Sequence, residues 1–305
     1  MVTEHYFKIS PITLYPKKNE IAENPLFSIL IVSWNNLEYL KICVDSIRKN
    51  SSFNHQILIH VNDGSDGTLE WVSENGFAHS HSSENVGICF GMNALTPMIE
   101  SEYVVLIDDD NYVAPRWDFF LYEEIHKLGH HYFALSSTRM EPYVNSDSTA
   151  ITPANFGFTP KTFKEKEFLL DYMDFVCDDW SGSSWYPMVI HRDLWCLVGG
   201  LSTEFSPGIG SDPDFMMKLW QAGVRYYKGL SNSRAYHFVS ATTARVKRNN
   251  GRKQFAQKWG MNISTFFKYY IRMGQPFDGV FDEKAALCQA KNKIIFDRMR
   301  MKLNR

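Results

Sequence analysis

Apolar and polar residues alternate along the first part of the chain in a way that predicts strands and helices in turn. Three apolar runs rich in Ile and Val predict strands, and these are FSILIVS at 27–33, HQILIHV at 55–61 and YVVLI at 103–107. Between them, TLEWVSEN and NVGICFGMNALTPMIE have the spacing typical of helices. This alternation predicts an α/β fold, with a mostly parallel central sheet flanked by helices.

The pattern becomes less regular beyond residue 138. The segment WYPMVIHRDLWCLVGG predicts a strand, a short helix and a glycine stop. The next segment, PDFMMKLWQAG, predicts a helix with Asp212 as its N-cap, Pro213 in its first turn and Gly223 at its end. We therefore expect three units: an N-terminal extension over 1–26, a domain over 27–244, and a basic helical extension over 245–305.

Composition narrows the class of protein. The chain has 305 residues, of which 44% are hydrophobic and 22% charged, as in ordinary globular domains. Its net charge of −2 disfavours a uniformly basic nucleic-acid binder, so we expect no nucleic-acid partner. Five scattered cysteines without a CxxC pair indicate a reducing compartment. With no apparent signal peptide and no apolar run long enough to cross a bilayer, we expect a cytoplasmic protein.

Three aspartates, Asp108, Asp109 and Asp110, follow the strand predicted at 103–107. Residues two apart in an extended segment point the same way, so Asp108 and Asp110 can converge while Asp109 faces elsewhere. Adjacent carboxylates repel one another unless a divalent cation or an arginine neutralises them. The run is therefore a metal site, a nucleophile for phosphate chemistry, or a plain acidic turn.

Other segments also have two interpretations. VNDGSDGT at 61–68 is ordinary turn chemistry, although Asp63 is placed to accept the N–H of a uracil ring. The glycines of ENVGICFGMN permit close helix packing but are not specific. Asp212 is either a helix cap or an exposed general base, and His237 is either a structural histidine or a ligand. No single segment decides the function.

The order of these segments is more specific than any one of them. A strand, NDGS, ENVGICFGMN, a strand with DDDN, GSDPDF and a later histidine follow one another between about Phe27 and Gly260. This succession resembles the family 2 glycosyltransferases of the GT-A fold. The resemblance implies a Rossmann-like GT-A domain, with a nucleotide-binding half at 27–111 and an acceptor-binding half at 112–244.

The resemblance also assigns roles to residues. Asp212 matches the catalytic base, while Asp110 and His237 would ligate Mn²⁺ or Mg²⁺. The positions implied for donor binding lie at or just after the ends of predicted strands, and they are Ser33, Asn35, Asp63, Asp108 and Asp109. The candidates for acceptor binding are Trp180, as a platform for sugar stacking, with Asp179 and Asp214.

Two positions depart from the family pattern. Asn62 stands where the family often has Asp, and Ser211 replaces the Glu of the E-D-x-D motif. That Glu commonly helps to position the acceptor, so acceptor geometry is not carried over.

The reaction implied is inverting transfer of a sugar from a nucleoside diphosphate sugar to a hydroxyl of a glycan or lipid-linked glycan. UDP as the nucleotide and polysaccharide biosynthesis as the setting come from the resemblance. A sugar nucleotidyltransferase would need a glycine-rich phosphate loop after the first strand, where SWNNLEYL stands. A phosphatase with an Asp108 nucleophile would leave NDGS and GSDPDF without roles. A catalytically inactive nucleotide-sugar or glycan-binding domain also remains an alternative.

The C-terminal region is basic. Its cations include Arg245, Lys247, Arg248, Arg252 and Lys253, followed by the tail KNKIIFDRMRMKLNR. Such a segment is typical of a solvated charged face, and it also suits a diphosphate or an anionic lipid carrier. The mixture of apolar and basic residues in the tail is compatible with peripheral membrane contact at the inner face of the membrane, or with packing on the domain or on another subunit.

Overall fold

The computed structural model describes residues 10–16, 24–143, 150–240, 245–246, 248–280 and 282–303. Lys247, in the basic segment discussed above, lies outside the described residues, as do parts of both extensions.

Eleven strands form one sheet in the described part of the chain. Their bounds are β1 Thr13–Tyr15, β2 Phe27–Trp34, β3 His55–Asn62, β4 Ala78–Ser82, β5 Tyr103–Asp108, β6 Asn111–Val113, β7 Phe133–Glu141, β8 Ile151–Pro153, β9 Trp180–Ser181, β10 Met188–His191 and β11 Tyr226–His237.

Ten α-helices accompany the sheet within the same described ranges. Their bounds are α1 Leu37–Asn50, α2 Thr68–Glu74, α3 Gly87–Ala94, α4 Trp117–Leu128, α5 Glu165–Asp171, α6 Arg192–Val198, α7 Ser211–Gln221, α8 Gly251–Trp259, α9 Ile263–Tyr269 and α10 Glu283–Leu303. None of these described helices is both long enough and apolar enough to cross a bilayer.

The strand order places several carboxyl ends at one edge of the sheet. The order is β1-β4-β3-β2-β5-β10-β7-β11-β6, with β8 beside β7 and β9 beside β11. Strands β4, β3, β2 and β5 are parallel, and so are β7 and β11. Because β10 is antiparallel to both β5 and β7, the two parallel groups point the same way. The carboxyl ends of β2, β3, β5, β7 and β11 therefore share an edge, where ligands bind in sheets of this kind.

Both faces of the sheet are covered, which explains the uninterrupted apolar runs. In β2, Ile29 and Ile31 face a core shared with α1 and α4, whereas Leu30 faces a second core shared with α3, α6 and α7. Ala286 and Ala290 of α10 belong to this second core, so the C-terminal helices pack on the domain. The α/β fold predicted from the sequence is confirmed.

Two details differ from the sequence prediction. Strand β4, sequence AHSHS, was not predicted, because it lacks the Val and Ile of the other strands; it is covered by β1 from the N-terminal extension. The prediction that Asp212 caps α7 is wrong, since the helix begins at Ser211 and its N-cap is Gly210 in a left-handed conformation with φ of 88°. Asp212 lies in the first turn of α7 and makes no capping bond.

Replacing Gly91 by Ala tests how closely α3 approaches the sheet. In an unconstrained helix this change stabilises by about 1 kcal/mol. Here a Cβ would lie 2.6 Å from Cδ2 of His60 and 2.9 Å from Cγ2 of Val32, so the helix must move off the sheet at a cost of about 1–3 kcal/mol. We predict that Gly91→Ala lowers the free energy of unfolding measured with urea. A more stable variant would show that α3 does not lie this close.

Candidate active site

A cleft of about 380 Å³ lies at the shared carboxyl edge of the sheet. Its wall includes the Asp108–Asp110 run after β5, Arg139 of β7 and His237 at the end of β11. Asp212, from the first turn of α7, lines the same cleft. Residues far apart in sequence thus meet because of the strand directions.

Asp108, Asp110 and His237 form a compact group, with one potential ligand atom of each within 4.8 Å of the others. The antiparallel pairing of β6 with β11 sets His237 opposite Asn111, beside Asp110. His237 Nε2 lies 3.4 Å from Oδ1 of Asp110. Oδ2 of Asp110 accepts a hydrogen bond from the backbone N–H of Ser240 at 2.8 Å. Asp108 and Asp110 therefore converge as expected, although Asp109 and Asp110 form the turn between β5 and β6 and not an extended segment.

Glu141, the last residue of β7, holds the imidazole of His237. Its Oε1 lies 2.8 Å from Nδ1 of His237, and the Glu141 side chain is buried. This contact leaves Nε2 directed at Asp110. Metal-binding histidines generally make such a contact through their second nitrogen, because it fixes the orientation of the ring.

Asp108 is paired with an arginine. Arg139 Nη2 donates to Oδ2 of Asp108 at 2.7 Å, and Nε of the same guanidinium donates to the carbonyl oxygen of Tyr186 at 2.6 Å. The Tyr186 carbonyl thereby fixes the direction of the guanidinium. Arg139 offsets the charge that Asp108 would otherwise add to its neighbours.

Asp109 faces neutral donors. Its Oδ2 accepts from the hydroxyl of Ser33 at 2.7 Å and its Oδ1 from the amide of Asn36 at 3.0 Å. Burial, with the charge of Asp110, raises the pKa of Asp109 to about 8 despite these hydrogen bonds. Asp109 therefore holds a proton at neutral pH, which reduces the negative charge of the run.

Asp110 and His237, unlike Asp109, are both charged at neutral pH. Burial alone would raise the pKa of Asp110, but the charge of His237 and hydrogen bonds from His237 and Ser240 hold it well below its usual range. Burial alone would lower the pKa of His237, but the charge of Asp110, with hydrogen bonds to Asp110 and Glu141, raises it to about 9. Asp110 is thus an anion that can pair with a cation.

This donor set fits a divalent ion. Carboxylate oxygens suit Mg²⁺ and Mn²⁺, and one imidazole nitrogen is well tolerated by Mn²⁺. Asp108, Asp110 and His237 face a shared cleft that also has room for oxygen ligands from a substrate or water.

Asp212 is the second chemical group of the cleft. Burial, with the negative charge of Asp108, raises the pKa of Asp212 to about 6. The loop before it is fixed, since the Ser211 hydroxyl donates to the carbonyl oxygen of Gly208 at 2.7 Å. The hydroxyl of Tyr186 lines the same cleft and is buried beside Asp212, and its hydrogen bond to Asp212 partly offsets the rise in the pKa of that carboxyl. A carboxylate with a pKa close to neutrality is suited to accept a proton.

Asn35 and Asp63 pair across the ends of β2 and β3. Asn35 Nδ2 donates to Oδ2 of Asp63 at 2.8 Å, and Asn35 Oδ1 accepts from the N–H of Gly64 at 2.9 Å. The amide oxygen of Asn62 accepts from the N–H of Val86 at 2.8 Å, which ties the end of β3 to the segment before α3. Asn62 lines the cleft, whereas Asn35 and Asp63 are not part of its wall, and their contacts with a nucleoside stay a prediction.

The structure does not bring the predicted acceptor residues to the cleft. Trp180 is fully buried, and its indole N–H donates to the hydroxyl of Thr138 at 2.9 Å. Oδ1 of Asp179 accepts from the backbone N–H and the hydroxyl of Ser231, each at 2.8 Å. Asp214 is also fully buried, with Lys258 Nζ 2.9 Å away. Acceptor binding by these three residues stays a prediction.

Sequence reasoning missed Arg139, Glu141 and Tyr186. A signal was available for the first two, because Arg139 and Glu141 are two apart at the end of the strand FALSSTRME. Charged residues with this spacing at a strand end point to the same side, as Asp108 and Asp110 do. Tyr186 carried no comparable signal.

A family model matches residues 28–183, just over half of the chain, and its description is glycosyl transferase family 2. The chain belongs to this family. The match includes both the Asp108–Asp110 run and the carboxyl end of β7. The expectation of a family 2 glycosyltransferase is therefore confirmed.

The curated relatives that this chain matches are longer, and the matches span less than a third of their length. It is 32% identical over 115 residues to the chondroitin synthase of Pasteurella multocida (strain Pm70), covering 36% of this chain and 11% of the synthase. The hyaluronan synthase of Pasteurella multocida gives the same values. The putative glycosyltransferase EpsH of Bacillus subtilis (strain 168) is 30% identical over 101 residues, covering 31% of this chain and 29% of EpsH.

Solved structures confirm the GT-A fold. S. aureus TarS superposes with a TM-score of 0.54 at 13% identity, covering 90% of this chain and 43% of TarS. Residues 1–349 of TarS in complex with UDP give a TM-score of 0.50 at 17% identity, covering 71% of this chain and 61% of that one. At these identities the likeness is one of fold.

Removing the carboxylate of Asp110 tests the metal centre. We predict that Asp110→Asn weakens Mn²⁺ binding at least tenfold, because a charged oxygen ligand is replaced by a neutral amide. Isothermal titration calorimetry with MnCl₂ measures this change. The matched control is Asp45→Asn, which removes an exposed carboxylate of α1. Equal Mn²⁺ affinity in the two variants would place the ion elsewhere.

Proposed function

We propose that this glycosyltransferase moves a sugar from a nucleoside diphosphate sugar, with inversion, to a hydroxyl of a glycan or lipid-linked glycan. The observation that carries the proposal is the meeting of Asp108, Asp110 and His237 with Asp212 in one cleft. The first three side chains are suited to holding a metal ion bound to a diphosphate, and Asp212 is suited to deprotonating an acceptor hydroxyl. If the aspartate run were only an acidic turn, there would be no reason for the ends of β7 and β11 and the start of α7 to meet it in one cleft.

The donor we propose is a UDP-sugar. Its nucleoside would lie along the ends of β2 and β3, near Ser33, Asn35 and Asp63. Support comes from TarS, which has a similar fold and was solved in complex with UDP. The two Pasteurella synthases, whose names denote polysaccharide synthesis, support a role in making a polysaccharide.

Asp110 and His237, with Asp108, would hold Mn²⁺ or Mg²⁺. When bound, the ion acts as a Lewis acid that neutralises the charge growing on the diphosphate. Glu141 keeps the imidazole of His237 oriented by its 2.8 Å contact. Arg139, 2.7 Å from Asp108, limits the repulsion between that carboxylate and the approaching phosphates.

Asp212 is the proposed general base. Its carboxylate takes the proton of the acceptor hydroxyl as the oxygen attacks the anomeric carbon, while the bond to the diphosphate breaks. A positioned base contributes about 10² to 10⁴ in rate. The pKa of about 6 leaves Asp212 ionised at neutral pH and basic enough to accept the proton.

We further propose a cytoplasmic protein with peripheral membrane contact through α10. Support comes from exposed apolar side chains on this helix, which are Leu287, Ile295, Phe296 and Met299. Cations lie between them in the sequence, although the apolar side chains are spread around α10 and do not form the single apolar face of a helix that lies on a bilayer.

A donor panel tests the function. The protein is incubated with Mn²⁺ and UDP-, dTDP- and GDP-sugars, and release of nucleoside diphosphate is followed. Slow hydrolysis of one UDP-sugar is the expected result. Exchange of pyrophosphate would indicate a sugar nucleotidyltransferase instead, and binding without any hydrolysis or transfer would indicate an inactive binding domain.

Asp212→Asn separates the base from the binding site. We predict that turnover falls by about 10² to 10⁴ while nucleotide affinity stays nearly unchanged, since the amide keeps the shape but cannot accept a proton. Asp171→Asn, an exposed change on α5, serves as the control. An equal loss of nucleotide affinity in Asp212→Asn would refute the base assignment.

The pH dependence follows from the same carboxylate. Protonation of Asp212 removes the base, so kcat/KM should fall as the pH drops through about 6, by tenfold per unit below it, and should level off above it. Initial rates at saturating Mn²⁺ across the acidic range measure this profile. An acid limb near 4, the usual pKa of an aspartate, would show that burial in the cleft does not raise the pKa of Asp212.

A further inference from the structure

A second concave surface, separate from the strand-end cleft, lies on the C-terminal helices. It has a volume of about 540 Å³ and is bounded by α8, the segment that follows α8, and the end of α10. We call it the basic cavity because five cationic side chains line it, and these are Arg252, Lys253, Arg298, Arg300 and Lys302. The net charge of the chain is −2, so this concentration of positive charge is local.

The charges of the basic cavity are not neutralised by the residues that the structure describes. The acidic residue of its wall, Asp297, is buried and accepts bonds from the Asn262 amide at 2.8 Å and the Thr265 hydroxyl at 2.5 Å. Lys293 also pairs with Asp297 at 3.1 Å. In the ranges that the structure describes, none of the five cations forms an ion pair with a carboxylate. Unpaired like charges repel one another, so an anion bound between them would lower the energy.

The basic cavity is connected to the segment that precedes Asp212. Gly251, the first residue of α8, packs so closely on this segment that a Cβ would lie 1.8 Å from the carbonyl oxygen of Ile209. Asn249 brackets Ile209, donating to its carbonyl oxygen at 2.8 Å and accepting from its N–H at 3.1 Å. Arg252 and Lys253 follow directly after this contact. Arg248, just before it, lines the strand-end cleft.

We propose that the basic cavity binds a phosphate group carried by the acceptor, while an acceptor hydroxyl reaches Asp212. This inference rests on the proposed function, because it takes the side of Asp212 as the side where the acceptor enters. A phosphate has several oxygens and up to two charges, which matches forked guanidinium donors and ammonium groups together. A single carboxylate would occupy only one arginine.

An anionic bilayer is the competing occupant. Its surface is broad and flat, so lipid headgroups would meet the outer side of α10 more readily than an open concave surface between α8 and α10. The contact of Gly251 with Ile209 also joins the cavity to the candidate active site, which a membrane anchor does not require. The structure therefore favours a phosphate-bearing acceptor.

Binding of inorganic tripolyphosphate to the full chain tests the inference. Calorimetry is carried out in EDTA, so that no divalent ion held by Asp108 and Asp110 can bind the probe in the strand-end cleft. We expect Arg298→Gln/Lys302→Gln to weaken binding about tenfold or more, because two charge-assisted contacts are lost. The matched control, Lys284→Gln/Lys291→Gln, removes two exposed cations of α10 that do not line the cavity.

A second pair, Arg252→Gln/Lys253→Gln, repeats the test from α8, and thermal unfolding identifies any variant that does not fold. Equal weakening in the cavity and control pairs, or no binding by the unaltered protein, would overturn the inference. The inference would also be overturned if the cavity pairs, and not the control pair, lost binding to vesicles of phosphatidylglycerol and phosphatidylcholine but still bound tripolyphosphate. These binding measurements contain no sugar donor, so their outcome does not depend on the result of the donor panel that tests the proposed function.

Discussion

The site depends on neutralising three neighbouring carboxylates at the end of β5. Buried carboxylates so close together are costly unless each has a different compensation. Asp108 pairs with Arg139 at 2.7 Å, Asp110 lies 3.4 Å from the imidazole of His237, and Asp109 is held by neutral donors and keeps its proton. The result is a cluster that leaves Asp108 and Asp110 able to share a divalent ion.

The topology of the sheet supplies these partners. Strand β10 runs antiparallel between β5 and β7 and so lets β7 and β11 point in the direction of β2 and β5. Arg139 and Glu141 come from the end of β7, and His237 from the end of β11. A change of one residue in the pairing of β11 with β6 would move the imidazole away from Asp110, because side chains alternate between the two faces. The chemistry is therefore set by strand register as much as by residue type.

Much of the fold was predictable because local pattern determines it. The apolar strands β2, β3 and β5 and the glycine-terminated helix α6 read directly from the sequence. Strand β4 could not be predicted in this way. Its sequence AHSHS has little intrinsic preference for a strand, and pairing with β1 and β3 holds it in that conformation. The cap of α7 was also misread, since Gly210 takes the position that Asp212 was expected to occupy.

The site was partly predictable for the same reason. The spacing of Asp108 and Asp110 was enough to predict that they converge, although a turn and not an extended strand brings them together, and the resemblance to a known family added His237 and Asp212. The spacing of Arg139 and Glu141 is visible in the sequence, but the partner of Arg139 is not, because it depends on the pairing of β7 with a strand some fifty residues later. Aromatic composition likewise cannot distinguish a sugar platform from a core tryptophan, and Trp180 is buried.

The most direct test of the account is anomalous diffraction at the manganese absorption edge, from crystals grown with MnCl₂ and UDP. The account predicts one strong peak within coordination distance of Asp110 and His237, next to the diphosphate of the nucleotide. Nucleotide bound in the cleft with no manganese peak there, or a peak held by other residues, would contradict it.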